Sequence, residues 1–191
     1  EGYDGAAWRS LTAGSAVAPF AAKTKTANEV QNNTVNPTAA LQPDDQLFFS
    51  IGANETWNYR FYLQISGNAT PDIKFSVTAP AGATCVNSLN EAENALAVGN
   101  LGCGVSTGAV PMTTATDVFE VAGTITNGAT AGNVTLNWAQ NTASAANVTV
   151  LAGSFLEAQR SLGGDAASVA YVQGGNSFGT TAVLGTNDVQ P

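Results

Sequence analysis

The residues of this chain whose types and spacing are suited to chemistry are carboxylates and a pair of cysteines. Asp44, Asp45, Glu55, Asp72, Glu91, Glu93, Asp117, Glu120 and Glu157 are the carboxylates to weigh as an acid/base pair, since a glycosidase needs two carboxyls at a set separation. None of them sits in a signature context, and most fall at turns, where acids are commonly just solvated. The adjacent Asp44-Asp45, with Asp72, offers oxygen ligands of the kind calcium takes. No Asp-x-Asp-x-Asp-Gly loop is present, and a turn-forming role suits these positions better. Histidine is absent altogether. That removes the commonest general base and metal ligand, and with it any Ser/His/Asp or Cys/His triad. The sequence therefore predicts a protein that is not an enzyme and carries no cofactor and no metal.

Cys85 and Cys103 can close a loop of about 18 residues, worth roughly 3 kcal/mol in the chain-entropy model. The alternative is two reduced thiols buried separately. Their position on either side of one inserted segment favours the bridge, and their spacing excludes a Cys-x-x-Cys metal site. Five Asn-x-Ser/Thr sequons (Asn32, Asn54, Asn68, Asn133, Asn147) read as incidental in a chain this rich in Asn and Thr.

These residues must be held by a scaffold, and the hydrophobic pattern says which. Trp57, Tyr59, Phe61, Leu63 and Ile65 alternate with Asn58, Arg60, Tyr62, Gln64 and Ser66. This strict period of two marks a strand with one buried face. It places Trp57, Tyr59 and Phe61, like Trp138, in the core rather than on a sugar-stacking platform. Tyr62 points the other way and is the better candidate for an exposed contact. Gln46 to Ala53 reads as a strand with Leu47, Phe49 and Ile51 on one face, followed by a turn at Asn54-Glu55. Ile73, Phe75 and Val77 define another. Phe119, Val121 and Ile125 belong to a strand ending at Asn127-Gly128, a hairpin signal, with a partner over Gly132 to Gln140. Asn147 to Leu151 and Ser154 to Arg160 are expected to pair around Gly153. Between Cys85 and Thr116 the pattern changes. Ser88 and Glu91 have capping-box spacing, so Leu89 to Val98 is expected to be a short helix.

About eight short strands in 191 residues favour an all-β fold, a jelly-roll-like β-sandwich, over βαβ architecture. The expected organisation is an N-terminal arm over 1–25, a sandwich domain over 26–160 with an insertion at about 85–116, and a Gly-rich C-terminal arm over 161–191, which is either an arm that gains order on a neighbouring subunit or a floppy tail. Only 10% of residues are charged, against about 25% in an average soluble domain. The net charge is -8 and the six basic residues are scattered, so the electrostatic footprint of a nucleic-acid binder is missing. No apolar run is long enough for a membrane span. No signal peptide is visible, and a start at Glu1 rather than Met leaves an upstream leader open.

From about Thr26 to Arg160 the chain resembles a group of small β-structured bacteriophage virion proteins, which serve as capsid decoration or head-fibre proteins and as tail-fibre modules. Asp44-Asp45-Gln46-Leu47-Phe48-Phe49 is similar to that group's acidic pair before an apolar strand, and Ala53-Asn54-Glu55-Thr56-Trp57 to its central element. Pro71-Asp72-Ile73-Lys74 and Ala79-Pro80-Ala81-Gly82 are similar to the strand and turn that follow. Gly132 to Asn141 and Val150 to Leu156 are similar to its closing strands. The resemblance implies a rigid exterior block on the virion surface, often trimeric, with no catalytic residues. It implies copies of itself and a major capsid or tail protein as partners. The cysteine-flanked insertion and the long C-terminal arm depart from that pattern. Two rival readings stay open: a receptor- or glycan-binding module, and a subunit of an extracellular filament joined by strand donation.

Overall fold

A computed structural model of the chain describes residues 2–3, 8–9, 20–67, 70–91, 97–113 and 116–161. The described residues are all-β, and every strand pairing is antiparallel. In chain order the strands are β1 (Gly2–Tyr3), β2 (Trp8–Arg9), β3 (Phe20–Thr24), β4 (Glu29–Gln31), β5 (Gln42–Ile51), β6 (Thr56–Ser66) and β7 (Ile73–Thr78). They continue with β8 (Thr84–Glu91), β9 (Ala97–Leu101), β10 (Thr116–Thr126), β11 (Gly132–Gln140), β12 (Val148–Val150) and β13 (Phe155–Ser161). β1 and β2 pair only with each other.

The rest form two sheets. The larger has the order β3-β13-β6-β10-β8-β9, with β12 and β4 continuing beside the end of β6. The smaller has the order β5-β11-β7. The two pack as a sandwich, and the alternating residues of β6 build its floor: Trp57, Tyr59, Phe61, Leu63 and Ile65 are all buried. Facing them from the smaller sheet are Leu47, Phe49 and Ile51 of β5, Ile73, Phe75 and Val77 of β7, and Val134, Leu136 and Trp138 of β11, again all buried. Phe49 lies 5.6 Å from the rings of both Trp57 and Tyr59, and Phe75 lies 5.5 Å from Phe119. Tilted aromatic contacts of this kind tie the layers together beyond the area they bury. At Gly123 of β10 a side chain would collide with Asn87 Oδ1 and the Val86 carbonyl. The missing Cβ makes room for the buried hydrogen bond from the Tyr59 hydroxyl to Asn87.

Four local expectations fail. Leu89 to Val98 is not a helix where it is described: Thr84–Glu91 is β8, paired with β10, and Ala97–Leu101 is β9, paired with β8. The alternation in β8 is real, but its inward positions are Asn87, Leu89 and Glu91, two of them polar, which hid the period of two. Asn127-Gly128 does not close a hairpin, because β10 belongs to the larger sheet and β11 to the smaller. Asn127 is instead buried and donates to the carbonyls of Gly52 and Thr130. Its backbone N–H donates to Glu55 and the Gly128 carbonyl accepts from Asn54, so this turn is braced by the β5–β6 turn.

β12 and β13 do not pair with each other. Both lie along β6, Val150 opposite Ile65 and Phe155 opposite Tyr62, so five steps on one side span three on the other. The extra residues form a bulge around Gly153, whose φ is +93°, a conformation glycine adopts without cost. Finally, Phe20–Thr24, expected in the N-terminal arm, is β3, in register with β13 from Ala22 opposite Glu157 to Thr24 opposite Phe155. The expected C-terminal arm lies outside the described residues beyond Ser161.

Candidate functional site

The outward residues of β6, β10 and β13 in the larger sheet make up one candidate face. From β6 come Asn58, Arg60, Tyr62 and Gln64; β10 adds Glu120, Ala122 and Thr124; β13 adds Phe155, Glu157 and Gln159. The sequence singles out Tyr62, and the structure stacks its ring on Phe155 directly across the strand pair, at 5.1 Å and 21°. Arg60 lies 5.8 Å from the Phe155 ring. The same guanidinium donates to Glu157 at 2.9 and 2.8 Å and reaches Glu120 at 3.7 Å. Thr124 Oγ1 donates to Asn58 at 2.8 Å. The face carries one cation between two acids and is cross-linked by its own side chains. An open groove of about 320 Å³ lies at its β3 side, lined by Phe20, Asn58, Arg60, Ala122, Glu157 and Gln159 among others. Phe20 is 53% exposed there.

The second constellation lies at one side of the sandwich. Lys25 follows β3, and its backbone is anchored by the bulge: its N–H donates to Ser154 and its carbonyl accepts from Gly153. This turns its side chain inward, where it is fully buried. Its Nζ donates to Glu29 at 2.7 Å, to Asp44 at 3.0 Å and to Asp45. Asp44 is also fully buried, and its Oδ1 accepts backbone N–H groups from Gln46 at 2.9 Å and Leu47 at 2.8 Å. Asp44 Oδ2 is buried without a partner. Burial pulls the Lys25 ammonium toward deprotonation, but the hydrogen bonds it donates to Asp45, Glu29 and Asp44 outweigh it and hold its pKa above the ordinary value. Burial raises the pKa of Glu29, and the hydrogen bond from Lys25 lowers that of Asp45.

The ligand atoms of Glu29, Asp44 and Asp45 lie within 4.8 Å of one another, which is close enough to hold a cation. The ammonium of Lys25 already fills that part. Asp72, weighed with Asp44-Asp45 for calcium, is not in this group.

The remaining carboxylates are dispersed. Glu55 accepts from Trp57 Nε1 at 2.9 Å and from the Gly52 N–H at 2.7 Å, and meets Arg160 at 3.1 Å. Asp117 accepts from the Thr113 N–H and hydroxyl at 2.8 and 2.6 Å. Glu91 is buried on β8, and Glu93 lies outside the described residues. Sequence reasoning missed Lys25 and Glu29, since both stand in a stretch without a clean period. The one available signal was a lysine two positions beyond another, at the start of the β pattern.

Cys85 and Cys103 are joined by a disulfide, with a Cα–Cα distance of 5.0 Å. Cys85 lies on β8, and the chain beyond Cys103 runs along the outer edge of β7. Gly104 donates to the Val77 carbonyl at 2.7 Å and Thr107 to that of Phe75 at 2.9 Å, while Ile73 and Val110 exchange both bonds. Thr107 Oγ1 accepts from the Phe75 N–H at 3.1 Å. The segment occupies backbone groups that a bare edge would offer to another chain.

No family model matches the chain, and no curated protein matches it. Two solved structures of infectious bursal disease virus, of the Gt and Gx strains, align with 74% of the chain at 10% and 9% identity, with TM-scores of 0.15 and 0.16. The chain spans 41% and 40% of those chains. Likeness this slight carries no argument about what the protein does.

Proposed function

We propose that this chain is a non-catalytic structural protein of a bacteriophage virion surface, an exterior decoration or fibre component that binds copies of itself and an underlying capsid or tail lattice. The observation that carries the reading is the outer face of β6, β10 and β13 on a rigid two-sheet block. Its one cation pairs with both of its acids within the face, and amide, hydroxyl and aromatic groups stand ready for contact. Interfaces between proteins draw on this mixture, with aromatic residues and Arg enriched at their centres. The resemblance of residues 26–160 to phage virion proteins supports the same reading. Light scattering on the full chain and on a chain ending at Ser161 tests it, together with co-sedimentation on phage heads and tails lacking this protein. The expected result is a closed oligomer, with the trimer as the first candidate, or saturable binding to the particle. A monomer that binds neither heads nor tails would overturn it.

A second reading, a glycan- or receptor-binding module, is favoured by one observation: the Tyr62–Phe155 pair beside the groove that holds exposed Phe20. It predicts that Tyr62→Ala leaves assembly intact and abolishes adhesion to host cells. The filament reading would require a strand from one subunit to pair with a free edge of another, and deletion of either arm tests it.

A further inference from the structure

We propose that Lys25 and Asp44 condense to an intramolecular isopeptide bond, which joins the segment after β3 to the start of β5 covalently. The inference stands on four features of the site and is independent of what the chain assembles with. The first is proximity. A primary amine and a carboxyl group lie 3.0 Å apart, both with fully buried side chains. That distance is from Nζ to Oδ1, so the amine stands beside the carbonyl carbon it would attack, and well-oriented neighbours of this kind can reach effective concentrations of about 10⁵–10⁸ M. The site excludes the bulk water that would otherwise favour hydrolysis.

The second feature is polarisation of the carbonyl. Asp44 Oδ1 accepts two backbone N–H groups, from Gln46 at 2.9 Å and Leu47 at 2.8 Å. Donors aimed at one oxygen of a reacting carboxyl stabilise the negative charge that develops there when the tetrahedral intermediate forms. Third, Asp44 Oδ2 is buried with no hydrogen-bond partner. Oδ2 is thus the oxygen whose lone pairs are free to take the two protons with which it leaves as water.

Fourth, two further carboxyls flank the amine and can carry protons. Asp45, whose side chain is 59% exposed, connects the site to solvent, and Glu29 hydrogen-bonds Nζ at 2.7 Å. The step balances without any oxidant or co-reactant. One ammonium proton passes along its hydrogen bond to the Glu29 carboxylate, whose affinity for a proton burial raises, and the freed amine attacks Asp44 Cγ. The Nζ–Cγ bond forms as the Cγ–Oδ2 bond breaks. Oδ2 leaves as water with two of the three original ammonium protons, and Asp45 and Glu29 end in their starting states.

The bond has a physical rationale at this place. Three carboxyls around one buried amine leave an excess of negative charge, and a buried ion cluster is a poor source of stability because desolvation offsets much of its attraction. Condensation leaves the net charge of the cluster unchanged, but it replaces one fully buried ion pair, Lys25 with Asp44, by a neutral amide and a covalent tie.

The test is the intact mass of the native full chain after reduction of the disulfide, followed by tryptic digestion of the denatured protein. The expected result is a mass one water below that of the sequence, with no cleavage after Lys25 and a branched peptide that joins the Lys25 and Asp44 segments. Lys25→Arg restores the full mass. Asp44→Asn condenses with loss of ammonia and gives the same branched product as the native chain. A native chain at full mass that trypsin cuts after Lys25 would overturn the proposal. So would a water loss mapped to any other position, because the branched peptide would then be missing.

Discussion

The two sides of the sandwich are closed in different ways. On one side, β9 and the segment after it run from the larger sheet to the edge of β7, with the Cys85–Cys103 disulfide at the crossing. On the other, β3 contacts β5. That contact is held by Lys23 above the Phe48 ring at 3.3 Å, by Thr26 bonded to Gln46, and by Lys25 among its three carboxyls. The first closure works through a crosslink and backbone hydrogen bonds, the second through side-chain charge. A backbone edge that is covered cannot recruit another strand, whereas a buried charge cluster fixes one geometry and punishes the loss of any member. Among the described residues, neither closure covers the face of β6, β10 and β13.

The largest effect is expected on the charged side. Lys25→Met leaves Asp44 buried beside two other acids, and unfolding in guanidinium should show a loss of about 3–5 kcal/mol. Adding Asp44→Leu to Lys25→Met should recover much of it, because the uncompensated buried charge goes too. A loss below about 1 kcal/mol for Lys25→Met alone would mean that Lys25, whether as ammonium or as amide, is not what holds this side.

Removal of the disulfide comes next. The Cys85→Ala/Cys103→Ala chain should lose about 2–4 kcal/mol. Hydrogen exchange should locate the damage, with the amides of Ile73 and Phe75 losing protection while those of β6 keep theirs. Uniform loss across both sheets would show the strap to be part of the global core rather than an edge cover.

The contrast between the two sides explains what the sequence could show. Long apolar alternations are legible because each inward residue of β6 reports its face directly, and β5, β7 and β11 follow the same rule. The cysteines are legible because their chemistry admits few partners. Lys25 is not, because nothing local distinguishes a lysine that the Gly153 bulge turns inward from one that points to water. That bulge is itself a register device between β12, β13 and β6 and has no meaning within its own segment. The hairpin signal at Asn127-Gly128 misleads for a similar reason, since the residues that bind this turn, Gly52 and Glu55, lie more than seventy positions away. Polar inward positions at Asn87 and Glu91 erased the strand signal of β8, and only the neighbouring strand β10 reveals their face.

pH sharpens the comparison with a smaller effect. In an Asp44→Ala chain, Lys25 stays free to titrate, and the hydrogen bonds to Asp45 and Glu29, which rank ahead of Asp44 in raising its pKa, remain, so the directions found with Asp44 present are the expectation. Asp45 has a folded pKa below its ordinary 3.8, so its contribution is present above that value and is lost as pH falls through the lower folded one. Glu29, raised above 4.5 by burial, has the opposite sign: its contribution is present in acid and lost as pH rises through the folded value. Lys25, raised above 10.5, contributes below that pH and loses its hold as pH rises beyond it. Thermal unfolding of Asp44→Ala should therefore weaken at the strongly alkaline end. The native chain, condensed at Lys25, should not show that loss, and the disulfide side should be indifferent across the same range.

The smallest effect on stability is expected where the largest effect on function is proposed. Arg60 sits between Glu120 and Glu157 on the open face, half exposed like both of its partners. Ion pairs in that setting are worth about 0–1 kcal/mol, so Arg60→Ala should barely move the denaturation midpoint. Yet it should do two things to the face. It leaves two acids unmatched, which repel each other and any identical face brought against them, and it removes the cation above Phe155. An interface between copies built on this face should then weaken sharply and become more sensitive to low salt, where repulsion between the acids is least screened. Sedimentation of Arg60→Ala across a salt series reads this directly. Unchanged assembly at every salt concentration, with the fold intact, would remove the face from the interface and leave the edges of β3 and β9 as the surfaces through which copies meet.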